Sequence, residues 1–448
     1  MKKRSRKILI ACFVLAVLSV PIGLFVKNYF TSGWADRGAA TKPIPKPSAL
    51  AVPVAVGPDD WPSYRGGHQD NSSRTTGIRT DWRGGLRRAW DVSYLCQGNA
   101  STAWSCPAVQ GRHLVVMGRE QDRDLVFCLE SRTGALLWVS GYAATNQDNY
   151  GTGPRATPTI DGDLVYTVGR GGDLVAWRLA DGAPVWKRSL VADGGAEPEW
   201  GFSASALVSG DRLFLQGGKE IQAVAYHKKT GEVLWKTAGG IGSYSSPVLA
   251  GFGGEASLLV LHGEGLAAFA PETGAKRWEL PFKTANGNNI TTPVVDGPWI
   301  FVSAAYSMGG LGIVATNGSA RIAWRTKDLQ AHHTDPQLID GHVYGYSGFS
   351  KQNRGDFKCL DLATGRTLWK SDAIGCGTAI RVEDKLLCLD HKGNLFLVKP
   401  DPKGLVVLTA FPKAIPGVQE LSWTKPVLAD GLLYLRYRQR LICYRLKG

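Results

Sequence analysis

Seven tryptophans recur along this chain at a nearly constant interval, and no other feature narrows its fold so far. Trp90, Trp138, Trp186, Trp235, Trp278, Trp324 and Trp369 follow one another at 43 to 49 residues, and Phe411 takes an eighth place 42 residues on. Before most of them stands the same short phrase, as in SRTGALLW, LADGAPVW, KKTGEVLW, PETGAKRW and LATGRTLW. The clearest copy runs from Thr157 to Leu190. A Thr-Pro step enters a short apolar strand, Asp161-Gly162 turns it, and alternating strands follow on either side of Gly171-Gly172. Asp181-Gly182 then leads into a last strand that carries Trp186. Asp-Gly and Gly-rich turns between alternating runs are the chemistry of tight hairpins. A second landmark, the start of the first strand, recurs separately at Pro107, Pro158, Ala206 and Pro247, and again at Pro293, Pro336, Ala379 and Pro426.

Two independent landmarks thus count eight copies of a four-stranded unit. One unit cannot bury its own apolar faces, whereas units stacked side by side bury one another's. The expected fold is all-β, an eight-bladed β-propeller over residues 58–448. The last copy, Lys425 to Leu446, has only three strands, and Leu86 to Val92 at the other end supplies a fourth. Pairing them closes the ring and removes its open edge.

Residues 1–30 read as a targeting segment. Lys2, Lys3, Arg4, Arg6 and Lys7 precede the apolar run Ile8 to Val26, which is long enough to span a bilayer as a signal anchor with the basic end in the cytoplasm. A transmembrane helix here would leave the propeller in the periplasm or another extracytoplasmic space. Pro43, Pro45, Pro47 and Pro53 make residues 31–57 an extended stalk. Of the formal charge of +14, six positive charges fall in residues 1–30 and a net two in 31–57. The remainder is thinly spread, so nucleic acid is not an expected partner. Seven cysteines follow Cys12 and none forms a C-x-x-C pair. Cys96 and Cys106 flank one loop and are placed to form a disulfide if the compartment is oxidising. Cys128, Cys359 and Cys443 share an equivalent third-strand position that calls for a small buried residue.

The opening Asp60-Trp61-Pro62-Ser63-Tyr64-Arg65-Gly66-Gly67, followed by Asn71-Ser72-Ser73, resembles the entry to the propeller in bacterial pyrroloquinoline-quinone-like (PQQ-like) repeat proteins. The stretch Cys359 to Trp369 shows their A-x-D-x-x-T-G-x-x-x-W pattern most fully. The resemblance implies the quinoprotein-like fold and gives the tryptophans a structural role, each docking its blade on the next. Members of this family include quinoprotein dehydrogenases and the propeller lipoprotein of the outer-membrane β-barrel assembly machinery.

Ligands of propellers sit at the mouth of the axial channel, beside the inner strands. The candidates there are Trp104, Arg155, Tyr244, His333 and Trp423. Asp335 and His333 are the one acid/base pair at a favourable location, and so the weak catalytic candidates. A dehydrogenase would hold PQQ with Ca²⁺ in the channel, which requires hard oxygen ligands, a carboxylate base and an aromatic floor. Catalytic relatives usually carry an adjacent cysteine pair, and here no two cysteines are adjacent. No metal site is expected, because the adjacent His332 and His333 point to opposite faces of a strand. The reading favoured is a membrane-anchored, extracytoplasmic scaffold that binds an envelope protein, or a small ligand in its channel. The alternative is a PQQ-dependent oxidoreductase. Loops Gln121 to Asp124, Ala192 to Trp200 and Ser307 to Gly312 are the expected partner contacts.

Overall fold

The computed structural model describes residues 42–50, 52–98, 102–145, 150–349, 354–418 and 422–447. Eight antiparallel sheets form the ring. Blade 1 contains Ala108–Gln110, His113–Glu120, Arg123–Glu130 and Leu136–Ala143. Blades 2 to 7 follow in chain order over residues 159–189, 207–237, 248–281, 294–326, 337–371 and 377–411. Blade 8 joins Val427–Ala429, Leu432–Tyr437 and Arg440–Arg445 to the early strand Arg87–Val92, which pairs antiparallel with Arg440–Arg445. The closure read from the incomplete last repeat is therefore present. A second N-terminal piece, Ser72–Ser73, pairs parallel with Gly377–Val382 of blade 7. Seven of the eight strand-start landmarks stand directly before an inner strand, and Ala379 lies inside one.

The repeat phrase follows from packing between blades. Trp138 sits on the outer strand of blade 1 and donates its indole N–H to Leu179 O of blade 2 at 2.8 Å. Equivalent bonds run from Trp90 to Ser131 O, Trp186 to Lys228 O, Trp235 to Pro271 O, Trp324 to Leu362 O and Trp369 to Asp401 O. Across its own sheet each indole faces a small residue. Cys128 opposes Trp138, Ala176 opposes Trp186, Gly312 opposes Trp324 and Cys443 opposes Trp90. The glycine of the turn is the partner on the next blade. A Cβ on Gly182 would stand 2.4 Å from the Trp138 ring, at φ +71 where L side chains are already strained. Trp278 differs: it is buried, but its Nε1 has no hydrogen-bond partner among the described residues.

The eighth place also differs from its expectation. The residue in register with the other tryptophans, opposite Leu397, is Thr409, and Phe411 lies two positions on. Trp82, 1% exposed, covers this place from the N-terminal side, with its backbone N–H on Thr409 Oγ1 at 3.3 Å and its indole N–H on Arg79 O at 2.9 Å, while the Phe411 ring faces Gly85, the turn glycine before Trp90.

Two expectations about the N-terminus need correction. The transmembrane signal-anchor, and the membrane as a partner through it, have no support: among the described residues no helix is long and apolar enough to cross a membrane. The run Ile8 to Val26 itself lies outside the described residues. From residue 42 on, the Pro-rich segment does not stand off the ring as a stalk. Lys42 N donates to Ser93 O at 3.3 Å, Ser48 N donates to Leu136 O at 2.6 Å, and Ile44 packs on the core formed by blades 1, 7 and 8. An extended segment without a backbone ladder of its own finds partners for its backbone on the nearest exposed blade edge. The seven described cysteines are all buried free thiols, so no disulfide joins Cys96 and Cys106.

Candidate functional site

The loops that lead from each outer strand to the next inner strand converge on one face of the ring and leave an open funnel at the axis. Its cavity measures about 630 Å³ counted out to the open mouth, with the solvent there included. Four of the five channel-mouth candidates line it: Arg155, Tyr244, His333 and Trp423. Trp104 lies one layer back. It packs on Trp423 at 4.7 Å between ring centroids and donates its indole N–H to Tyr150 O at 2.8 Å.

The walls are mostly rings. Trp200 meets Tyr244 at 5.8 Å, Tyr306 meets His332 edge-on at 5.2 Å, and His333 stacks on Trp423 at 4.5 Å with planes 14° apart. Asn288, Ser203 and Ile290 complete the lining. Arg155 is the lone cation among the described residues that line the funnel, and it is occupied in construction: Nη1 donates to Trp200 O at 2.7 Å and Nη2 to Gly151 O at 3.2 Å. No acidic residue is among the described residues that line the funnel. The histidines are held neutral. Burial pushes His332 down to about 3, with His391 adding repulsion, and pushes His333 well below the usual range. His391, buried behind them, is pushed down to about 4 by burial.

The opposite end of the channel is closed by the segment that carries the family resemblance. Trp61 exchanges backbone hydrogen bonds with Val109 of blade 1, at 3.0 and 2.8 Å, and Pro62 O accepts from Ile160 N of blade 2 at 2.7 Å. Arg65 Nη1 reaches Pro293 O before blade 5 at 2.8 Å. Asn71 Nδ2 donates to Ala379 O of blade 7 at 3.1 Å, and Ser73 Oγ donates to Leu428 O of blade 8 at 2.8 Å. Five blades are thus tied by one segment of the chain.

Asp335 belongs to this seal. Its Oδ2 lies 3.9 Å from Arg65 and 3.8 Å from Lys425, and its Oδ1 accepts Thr292 N–H at 2.8 Å. Lys425 also donates to Asn71 Oδ1 at 2.9 Å and stands 3.4 Å from the centre of the Tyr64 ring. Burial pushes the lysine down to about 8 against the upward pull of Asp335. A second, small cavity lies among these groups, and His333 and Trp423 line both cavities, so their stacked rings partition the channel.

Asp335 and His333 are therefore neighbours along the chain that face different work, a counter-ion below the partition and a ring within it. The residues of the seal, Tyr64, Arg65, Asn71 and Lys425, were not among the sequence candidates as a group; the entry motif that contains three of them was the available signal. Tyr150, Trp200 and Tyr306 were likewise missed as funnel residues.

The loops expected to hold a partner fare unevenly. Gln121 to Arg123 form an exposed hairpin tip, whereas Asp124 is fully buried and paired with Arg119 at 2.7 Å. In the Ala192 to Trp200 loop, Glu197 pairs with Arg170 at 2.8 Å and Trp200 turns into the funnel. Ser307 is exposed beside Tyr306, while Gly309–Ala315 is a buried strand.

The fit of PQQ with Ca²⁺ can be tested on these side chains. The cation needs a set of hard oxygen ligands, yet the funnel's described lining contains no carboxylate, and Asp335 is committed to two cations beneath the partition. Among the described residues no group of three or more His, Cys, Asp or Glu could hold a metal ion. The described residues of the channel do not fit that cofactor pair.

Comparison with known proteins agrees with the architecture. The chain is 24% identical over 248 residues to the outer membrane protein assembly factor BamB of Shewanella oneidensis, a match covering 48% of this chain and 56% of that protein. It thus spans about half the length of this curated relative. The crystal structure of BamB from Moraxella catarrhalis superposes with a TM-score of 0.57 at 15% identity, covering 81% of this chain and 98% of the other. Quinohemoprotein alcohol dehydrogenase from Comamonas testosteroni gives 0.61 at 13% identity, covering 87% of this chain and 81% of the other. At such identities the likeness is one of fold. The family model described as outer membrane protein assembly factor BamB matches residues 122–371. That match covers more than half of the chain, from the third strand of blade 1 to the end of blade 6, and the chain belongs to this family.

Proposed function

We propose that this protein is an extracytoplasmic propeller that works as a scaffold, holding an envelope protein on the face that carries the funnel. The observation that carries the reading is how the channel's ionisable groups are used. Asp335 neutralises Arg65 and Lys425 in the seal, and His333 is stacked in the partition, so the pair is not set up to pass a proton to a substrate in the funnel. What the funnel face offers instead is surface. Val191, Ile241 and Tyr306 are 46%, 47% and 50% exposed on loops of that face, around a ring-lined depression. Apolar and aromatic side chains around a concave centre are the anchors of protein interfaces. The family name, assembly factor, belongs to the relatives and agrees with this reading.

The test is site-specific photo-cross-linking in the cell envelope. A photoreactive residue at Ile241 or Tyr306 should give a discrete adduct with one envelope protein, and one at Val407 on the outer rim should not. Equal adducts from both positions, or none from the funnel face, would overturn the proposal.

A further inference from the structure

We infer that the funnel is a binding site for a neutral saccharide, a function beyond partner scaffolding. The class follows from what the walls can and cannot recognise. A cation is disfavoured, because Arg155 lies in the wall and the described lining has no carboxylate to offset it. A multiply charged anion needs a free guanidinium fork or several cations. Here two carbonyl oxygens, those of Trp200 and Gly151, already take Arg155 donors, and the histidine rings are held uncharged by burial. A wholly apolar ligand would leave buried polar atoms unsatisfied, at a cost. Two such atoms belong to residues of the lining: His333 Nδ1 and Asn288 Oδ1 have no hydrogen-bond partner among the described residues.

A ligand that satisfies all three conditions is uncharged, has flat C–H faces for aromatic rings, and carries hydroxyls at its edge. A pyranose ring is that chemistry. Trp200 and Tyr244 offer aromatic surface on one side of the funnel, Trp423 and His333 on another, and Asn288 and Ser203 stand between as hydrogen-bonding groups. Tyr306, at the exposed rim, is placed to cover a sugar that has entered. None of these groups belongs to the seal, so the site can be altered without touching Asp335, Arg65 or Lys425.

The experiment titrates the purified full chain with maltose, cellobiose and N,N′-diacetylchitobiose, following tryptophan fluorescence and heat. Benzoate and tetramethylammonium serve as the anionic and cationic comparisons. One disaccharide should bind saturably, with about tenfold weaker affinity in Trp200→Ala and in Tyr306→Ala as an aromatic contact is lost. Both variants should keep the parent's melting transition, which separates lost binding from lost folding. Three results would overturn the inference: no saccharide bound at millimolar concentration by folded protein, binding unchanged in both variants, or tighter binding of benzoate or tetramethylammonium. Because the readout is ligand binding, these results do not bear on the cross-linking test of the scaffold.

Discussion

The two ends of the axial channel are built from different residue types and put to opposite uses. At the sealed end, Arg65, Lys425 and Asp335 are each 5% exposed or less, and every one is tied to another part of the chain. At the open end, rings meet at tilted angles, Arg155 holds loops in place, and Tyr306 is half exposed. Charge is costly to bury, so where it occurs in the channel it is paired and cross-braced. Aromatic surface can be left facing a cavity at much lower cost. The contrast teaches where to look for function in a propeller: away from its charges, when those charges close the ring.

Several measurements would sharpen or break this contrast. Asp335→Asn should have the largest effect, a loss of about 3–5 kcal/mol in urea unfolding, because it strands two buried cations. A loss under about 1 kcal/mol would mean that the seal is not held by charge. Acid should act on the funnel end. His332 and His391 titrate at about 3 and about 4 in the fold, below the usual value of 6.5, so the unfolded chain binds more protons across that window. Stability is thus complete above pH 6.5 and falls as pH drops, by about 3 kcal/mol for the two rings together between pH 6.5 and 5. His391→Gln should flatten the profile, and an unchanged slope would place the acid sensitivity elsewhere.

Alkali should act on the sealed end, with the opposite consequence. Lys425, at about 8, lies below its model-compound value of 10.5, so the unfolded state binds the extra proton between these limits. Compared with Lys425→Met, the parent should gain about 2 kcal/mol as pH rises from 8 to 9.5. Taking the difference between the two proteins removes the contribution of buried tyrosines and thiols that lose stability over the same range. Away from both ends, Trp138→Phe should cost about 1 kcal/mol more than Trp278→Phe, since only the first loses an indole hydrogen bond. The smallest effect belongs to Tyr306→Ala at the funnel rim, within about 0.5 kcal/mol of the parent in the same urea titration. A larger loss would show that the open end is as structural as the closed one.

Much of this was legible in residues alone, and the reason differs from place to place. The Thr-Gly turn and the tryptophan are local, and their repetition marks the interface between blades directly. Cys128, Cys359 and Cys443 could be recognised as core thiols because alanine or glycine fills the same slot in other copies. Trp200 was harder. Its neighbours Glu197 and Glu199 suggest a solvated loop, yet the bond from Arg155 to its carbonyl and its packing on Tyr244 turn it toward the axis. Phe411 keeps the contact with the turn glycine Gly85 from a strand position two residues on, since the register places Thr409 opposite Leu397.

By itself the sequence determined the unit, the number of copies and the way the ring closes. The first two depend on alternation and turn chemistry read within some 50 residues of chain, and the closure on matching an incomplete last repeat to an unused strand at the other end. Only the tertiary structure decided what the axis contains. Arg65 meets Pro293 across 228 positions, Lys425 meets Asn71 across 354, and Ser73 meets Leu428 across 355. No local propensity encodes such meetings. They arise because closing eight twisted sheets into a ring brings the ends of every inner strand to one place, where side chains from all parts of the chain must share charge, hydrogen bonds and space.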